Sequence, residues 1–160
     1  MEIKHADILI HPDYSSLKAV KPIINGSQVD RRTQWGLRAE ELAKSPETAL
    51  FYFSSFIDGY DGLRWTGKPN LIDHELARIT MFKEVLGDRF LLYPGLFYPT
   101  EESVSGRLKQ RGMTFDSRNM TLLAYGEYYD RCVPLWAESV RIVLGLPETS
   151  LQYSYHKSLV

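Results

Sequence analysis

Apolar residues in this chain follow two rhythms. Four short runs, Ala6 to Ile10 (ADILI), Thr48 to Phe56 (TALFYFSSF), Arg89 to Tyr93 (RFLLY) and Met120 to Tyr125 (MTLLAY), are apolar over most of their length. Runs this short, bounded by proline, glycine or polar residues, predict buried strands. The tail from Leu151, LQYSYHKSLV, alternates well enough to predict a fifth, partly exposed strand. Between the runs the apolar positions recur every three or four residues. Arg31 to Lys44 sets Trp35, Ala39, Leu42 and Ala43 on one side and stops at Ser45-Pro46; Asn70 to Leu86 sets Ile72, Leu76, Ile79, Phe82, Val85 and Leu86 inward, with Asn70 as cap and Gly87 as stop. Thr100 caps a short helix with Glu101 and Glu102 in its first turn and Arg107, Lys109 and Arg111 near its last. The final helix begins between Arg131 and Val133 and buries Val133, Trp136, Ala137, Val140, Val143 and Leu144. Pro134, having no N–H, belongs in its first turn. Two stretches lack either rhythm. Tyr14 to Asp30 reads as a long irregular connection, able to serve as a lid, and Ile57 to Pro69 reads as loop around an isolated Trp65.

Strands alternating with helices predict a single α/β domain over residues 1–160, a three-layer sandwich with a mostly parallel sheet of about five strands, Rossmann-like in architecture. In such folds ligands bind beyond the carboxyl ends of the strands. That rule selects candidates without any motif. After the first strand come His11, Asp13 and Tyr14; after the second, Ser54, Ser55, Asp58 and Asp61; after the third, Tyr93 and Tyr98; after the fourth, Gly126, Glu127, Tyr128, Asp130 and Cys132.

Composition narrows the partners. Nineteen Lys and Arg stand against twenty Asp and Glu, a net charge of −1, so no global field draws the chain to nucleic acid or to an anionic membrane. No apolar run approaches the roughly 20 residues of a membrane span, and His5, Asp7 and His11 interrupt the start where a signal peptide would be apolar. A single cysteine forms no internal disulfide, and the expectation is a cytoplasmic protein. No glycine-rich phosphate loop follows the first strand, and the expectation is an absence of cofactor.

Three chemistries compete for the strand-end rim. A thiol in the first turn of a helix is favoured as thiolate by the dipole, which makes Cys132 a candidate nucleophile, with Arg131 supporting that charge and Glu127 and Asp130 opposing it. The bland reading is a small buried hydrophobe, the commoner fate of a lone cysteine. Asp13, Asp58, Asp61, Glu127 and Asp130 could surround a magnesium ion for hydrolysis, although acidic residues in loops are usually solvated and Asp58-Gly59 and Asp61-Gly62 are ordinary turn dipeptides. The histidines show no zinc spacing. Tyr14, Tyr60, Trp65, Tyr93, Tyr98, Tyr128 and Tyr129 lie in or beside the presumed ligand-side loops, where aromatic rings could stack on a small-molecule ligand, anchor a second subunit in a homo-oligomer, or close the end of a small core.

The last third of the chain resembles the isochorismatase-like cysteine hydrolases. The resemblance lies in Gly126, the pair Cys132-Val133 at a helix start and Ala137 one turn on, with Leu108 to Gly112 (LKQRG) similar to the helix before that strand. It covers about the final 50 residues and implies the same α/β fold. It also implies hydrolysis of a small amide or ester by a Cys nucleophile assisted by an Asp and a Lys. Two of those three positions differ here. His11 stands at the aspartate's place with Asp13 two residues on, and no lysine lies between Lys83 and Lys109, the lysine position falling near Tyr93. The resemblance thus leaves three outcomes: Cys132 with His11 and Asp13 as an altered catalytic set, a scaffold that has lost this activity, or a likeness by chance.

Overall fold

The computed structural model describes residues 1–12, 23–24, 27–28, 31–55, 57–58, 64–65, 69–95, 98–126 and 132–154. Five strands form one sheet: β1 (His5–Ile10), β2 (Thr48–Phe53), β3 (Phe90–Tyr93), β4 (Thr121–Gly126) and β5 (Leu151–Tyr153), in the order β3-β2-β1-β4-β5 with every pairing parallel. Among the described residues four α-helices join them: α1 (Arg31–Ala43), α2 (Pro69–Leu86), α3 (Arg107–Gln110), preceded by a π-helical turn at Glu102–Gly106, and α4 (Cys132–Val143). The chain builds outward from β1 to β3 on one side, then crosses back to β4 and β5 on the other. That is the doubly wound plan, and it reverses direction between β1 and β4.

The two-residue period of the strands sorts their side chains between two cores. Ile8, Ile10, Phe51, Phe53, Leu91 and Ala124 pack with Val104 and Leu108 around α3 and with Val133, Trp136, Ala137 and Val140 of α4. Leu9, Leu50, Tyr52 and Tyr125 pack on the opposite face with Ala39 and Leu42 of α1 and Ile79, Phe82 and Leu86 of α2. Because both faces are covered, β2 is buried at all six positions, which is why its sequence is apolar from Ala49 onward instead of alternating. The register places Ile10 beside both Phe53 and Gly126, so three strands finish at one level.

Several local expectations are corrected. Pro69 opens α2, so Asn70 lies inside the helix instead of capping it, as suits a residue whose missing N–H costs nothing in the first turn. On α2 Leu76 is exposed while Glu75 and Arg78 are buried, and on α1 Ala43 faces solvent while Arg38 turns inward. The Tyr14 to Asp30 stretch contains a short antiparallel ribbon, Ile23–Ile24 with Ser27–Gln28, flanking an Asn25-Gly26 pair of the kind that closes two-residue hairpins. A second ribbon pairs Ile57–Asp58 with Arg64–Trp65 within the stretch expected to be loop. The Thr100 cap forms as a reciprocal pair: Ser103 N–H donates to Thr100 Oγ1 at 3.2 Å and Thr100 N–H donates to Ser103 Oγ at 2.8 Å. The expected fifth strand is three residues long, and residues 155–160 lie outside the described residues. No helix among the described residues is long and apolar enough to cross a membrane.

Candidate functional site

The point where the strand order reverses is occupied by His11. Continued extension would carry residue 11 to the same face as Asp7 and Leu9, but its φ is 47° and its ring instead meets Trp136 of α4 edge-on, at 5.1 Å between centroids. His11 is the single non-glycine residue with positive φ among the described residues, and it precedes Pro12, a context that favours extended backbone. Such a conformation costs about 1 to 3 kcal/mol and survives only where the surroundings hold it. The surroundings here are tight: His11 is 1% exposed, its N–H donates to Phe53 O at 2.9 Å, and its Nε2 lies 2.5 Å from Gly95 O. Burial pushes the imidazole below its ordinary value, with the Gly95 bond opposing, so the ring is neutral near pH 7.

The other side of the reversal is Gly126, the last residue of β4. Its φ is +146°, and a Cβ there would lie 2.0 Å from Ile10 O, so a residue with a side chain could not end β4 against β1 in this way. Cys132 is the first residue of α4, partly buried and packed against the α3/α4 core, and Trp136 follows it by one helical turn. The outer face of Trp136 carries Tyr98, stacked at 5.4 Å and 22° and 56% exposed. His11, Gly126, Trp136 and the first turn of α4 therefore share the carboxyl end of β1 and β4, with Tyr98 as the solvent-side ring.

The remaining candidates separate. Ser54 is fully buried at the end of β2, and its Oγ accepts the Ile57 N–H at 2.8 Å. Tyr93 is also fully buried; its hydroxyl donates to Ser103 O at 2.7 Å, its ring stacks on Phe53 at 4.9 Å, and Arg107 lies over it at 4.6 Å. Asp58 and Trp65 belong to the second ribbon, with their side chains outside what the structure describes. Asp13, Tyr14, Asp61, Glu127, Tyr128 and Asp130 lie outside the described residues, as does Arg131. The magnesium reading rests on carboxylates of that kind; among the described residues no three His, Cys, Asp or Glu side chains are grouped as a metal site.

Two buried carboxyl residues, Glu75 and Asp7, were missed by the sequence reading. Glu75 is fully buried under the end of β2, where its Oε1 accepts the Ser55 N–H at 2.7 Å and the Tyr52 hydroxyl at 3.3 Å. The spacing Ile72, Glu75, Ile79, Phe82, Leu86 alternates three and four, so periodicity alone placed Glu75 inward, and choosing Leu76 by hydrophobicity hid it. On the same face of the sheet Asp7, in the middle of β1, accepts two bonds of 2.6 Å from the Arg38 guanidinium and one from the Tyr125 hydroxyl. Burial opposes the Arg38 charge, but the bonds and attraction of Asp7 more than offset it and hold the guanidinium firmly charged. Burial, reinforced by Asp7, pushes the Tyr125 phenol well up. A carboxylate inside an apolar run such as ADILI was the available signal.

Comparison of the chain with protein-family models, with curated proteins and with solved structures finds no match.

Proposed function

We infer that the protein is a hydrolase of a small amide or ester, working through Cys132 as nucleophile and His11 as base on a plan similar to that of the isochorismatase-like cysteine hydrolases. The observation that carries this reading is the strained, buried, neutral His11 at the strand reversal, against the helix that Cys132 begins. Strain concentrates where a group must be held ready for chemistry. In this reading the Cys132 thiol gives its proton to His11 as sulfur attacks the acyl carbon, and the positive end of α4 faces the developing oxyanion. The imidazolium returns that proton to the departing amine or alcohol. Water then cleaves the thioester, losing a proton to His11, and the carboxylic acid leaves with the thiol restored. The lone cysteine and the apolar pattern accord with a cytoplasmic setting.

Alkylation tests the reading directly. Cys132 should react with iodoacetamide at pH 7 about tenfold or more faster than a free thiol, and His11→Asn should remove most of that advantage. A rate equal to that of a free thiol would eliminate the nucleophile. The exposed Tyr98 stacked on Trp136 favours a second reading, binding without turnover. Under it, a small ligand changes tryptophan emission and raises the melting temperature while no product forms.

A further inference from the structure

Which nitrogen of a histidine is tied decides what the ring can do, because the bond made by one nitrogen sets the state of the other. In His11 Nε2 is tied, and its partner, the Gly95 carbonyl, can only accept, so Nε2 carries the hydrogen. In the neutral ring Nδ1 is then an acceptor. The carbonyl is itself held. Gly95 N–H donates to Ile57 O at 3.1 Å, Ile57 N–H to Ser54 Oγ at 2.8 Å, Ser54 N–H to Tyr93 O at 3.0 Å and His11 N–H to Phe53 O at 2.9 Å. The last two bonds prolong the β1-β2-β3 ladder past the ends of the strands, and the four together fix ring and acceptor in one frame. A Cβ on residue 95 would lie 2.2 Å from Ser54 O and 3.4 Å from His11 Nε2, so only glycine brings this carbonyl so close. The T-shaped contact with Trp136 further restricts the plane of the ring.

We propose that the Gly95 carbonyl is the positioning group of the site: it locks His11 as the Nε2–H tautomer, so that Nδ1 is the atom that takes a proton. The tautomer stands on geometry alone, whereas the proton's source in Cys132 or water rests on the hydrolase reading. Long-range 1H–15N correlation spectra of the labelled full-length chain separate the tautomers, and His11→Asn identifies the signal among the four histidines. At pH 7 His11 should give a single neutral Nε2–H pattern. An Nδ1–H pattern, exchange between the two tautomers, or an imidazolium would overturn the proposal. In Gly95→Ala the pattern should become mixed, and the pH profile of Cys132 alkylation should move, with about a tenfold fall in rate at pH 7. A folded Gly95→Ala protein that keeps the single pattern and the wild-type profile would overturn it too; if that variant does not fold, the wild-type spectrum decides. An unreactive Cys132 beside an intact Nε2–H signal removes the hydrolase and supports the positioning role.

Discussion

At the scale of single residues, the most demanding position on the far face of the sheet is Asp7. A carboxylate in the central strand is tolerated because Arg38 meets it with two bonds and Tyr125 with a third, which satisfies most of its accepting capacity in a dry environment. Removing one partner differs from removing both. Asp7→Ala leaves the mostly buried guanidinium without its main counter-charge and should cost about 3 to 5 kcal/mol in urea denaturation. The pair Asp7→Leu with Arg38→Met replaces ions by hydrocarbon of similar bulk and should recover most of that loss. A double variant no more stable than the single one would show that the ion pair is itself a net source of stability. The same local logic explains what the sequence concealed here. An aspartate within ADILI and an arginine within a helical face look like exceptions to burial when read singly, and they become intelligible only as a pair 31 residues apart.

At the scale of elements, arginines secure the ends of helices and strands. Arg89 Nη1 donates to Ser45 O at 2.8 Å and Thr48 O at 2.9 Å and reaches Leu42 O at 3.5 Å, joining the end of α1, the turn after it and the start of β2. Arg111 donates to Asp88 O and Phe90 O, and Arg141 to Leu146 O at 2.8 Å beyond α4. Carbonyls at a helix end have no partner within the helix, and a guanidinium can serve several at once. Arg89→Met, which keeps most of the aliphatic stem, should therefore lower stability by about 1.5 to 3 kcal/mol. An exposed charge contributing little would leave the denaturation midpoint unmoved and would refute that role. The elements themselves were readable: all five strands and all four helices begin or end within a few residues of where the apolar rhythm placed them. The two ribbons were less readable because two-residue strands carry no period; only Asn25-Gly26 signalled one of them. At the candidate site, the positions of His11, Gly126 and Cys132 beyond or at the ends of β1 and β4 followed from the rule about strand ends. Gly95 did not, since its role depends on close approach between loops from two different strands, which no local pattern encodes.

For the whole molecule, the consequence of this architecture is a stability that depends on His11. Its folded-state pKa lies below the ordinary value of 6.5 because burial disfavours the imidazolium. Below pH 6.5 the unfolded chain takes up a proton that the folded chain refuses. Stability is therefore greatest above that pH and falls as pH drops from 6.5 toward the folded value, by at most about 1.4 kcal/mol per pH unit for one group. Asp116 adds a separate and lower window: bonds from the Arg118 N–H and from Asn119 hold its pKa below 3.8, so its contribution is lost only in stronger acid. Between pH 7 and pH 5 the Asp116 window is not entered, and comparison with His11→Asn separates His11 from the other three histidines. Urea titrations across that range should show the wild type losing stability more steeply than His11→Asn, because every other titrating group is common to both. Parallel curves would mean that the folded protein accepts the proton at His11 as readily as the unfolded chain does. The imidazole would then be solvated, and the buried, neutral ring on which the proposed hydrolase rests would be absent.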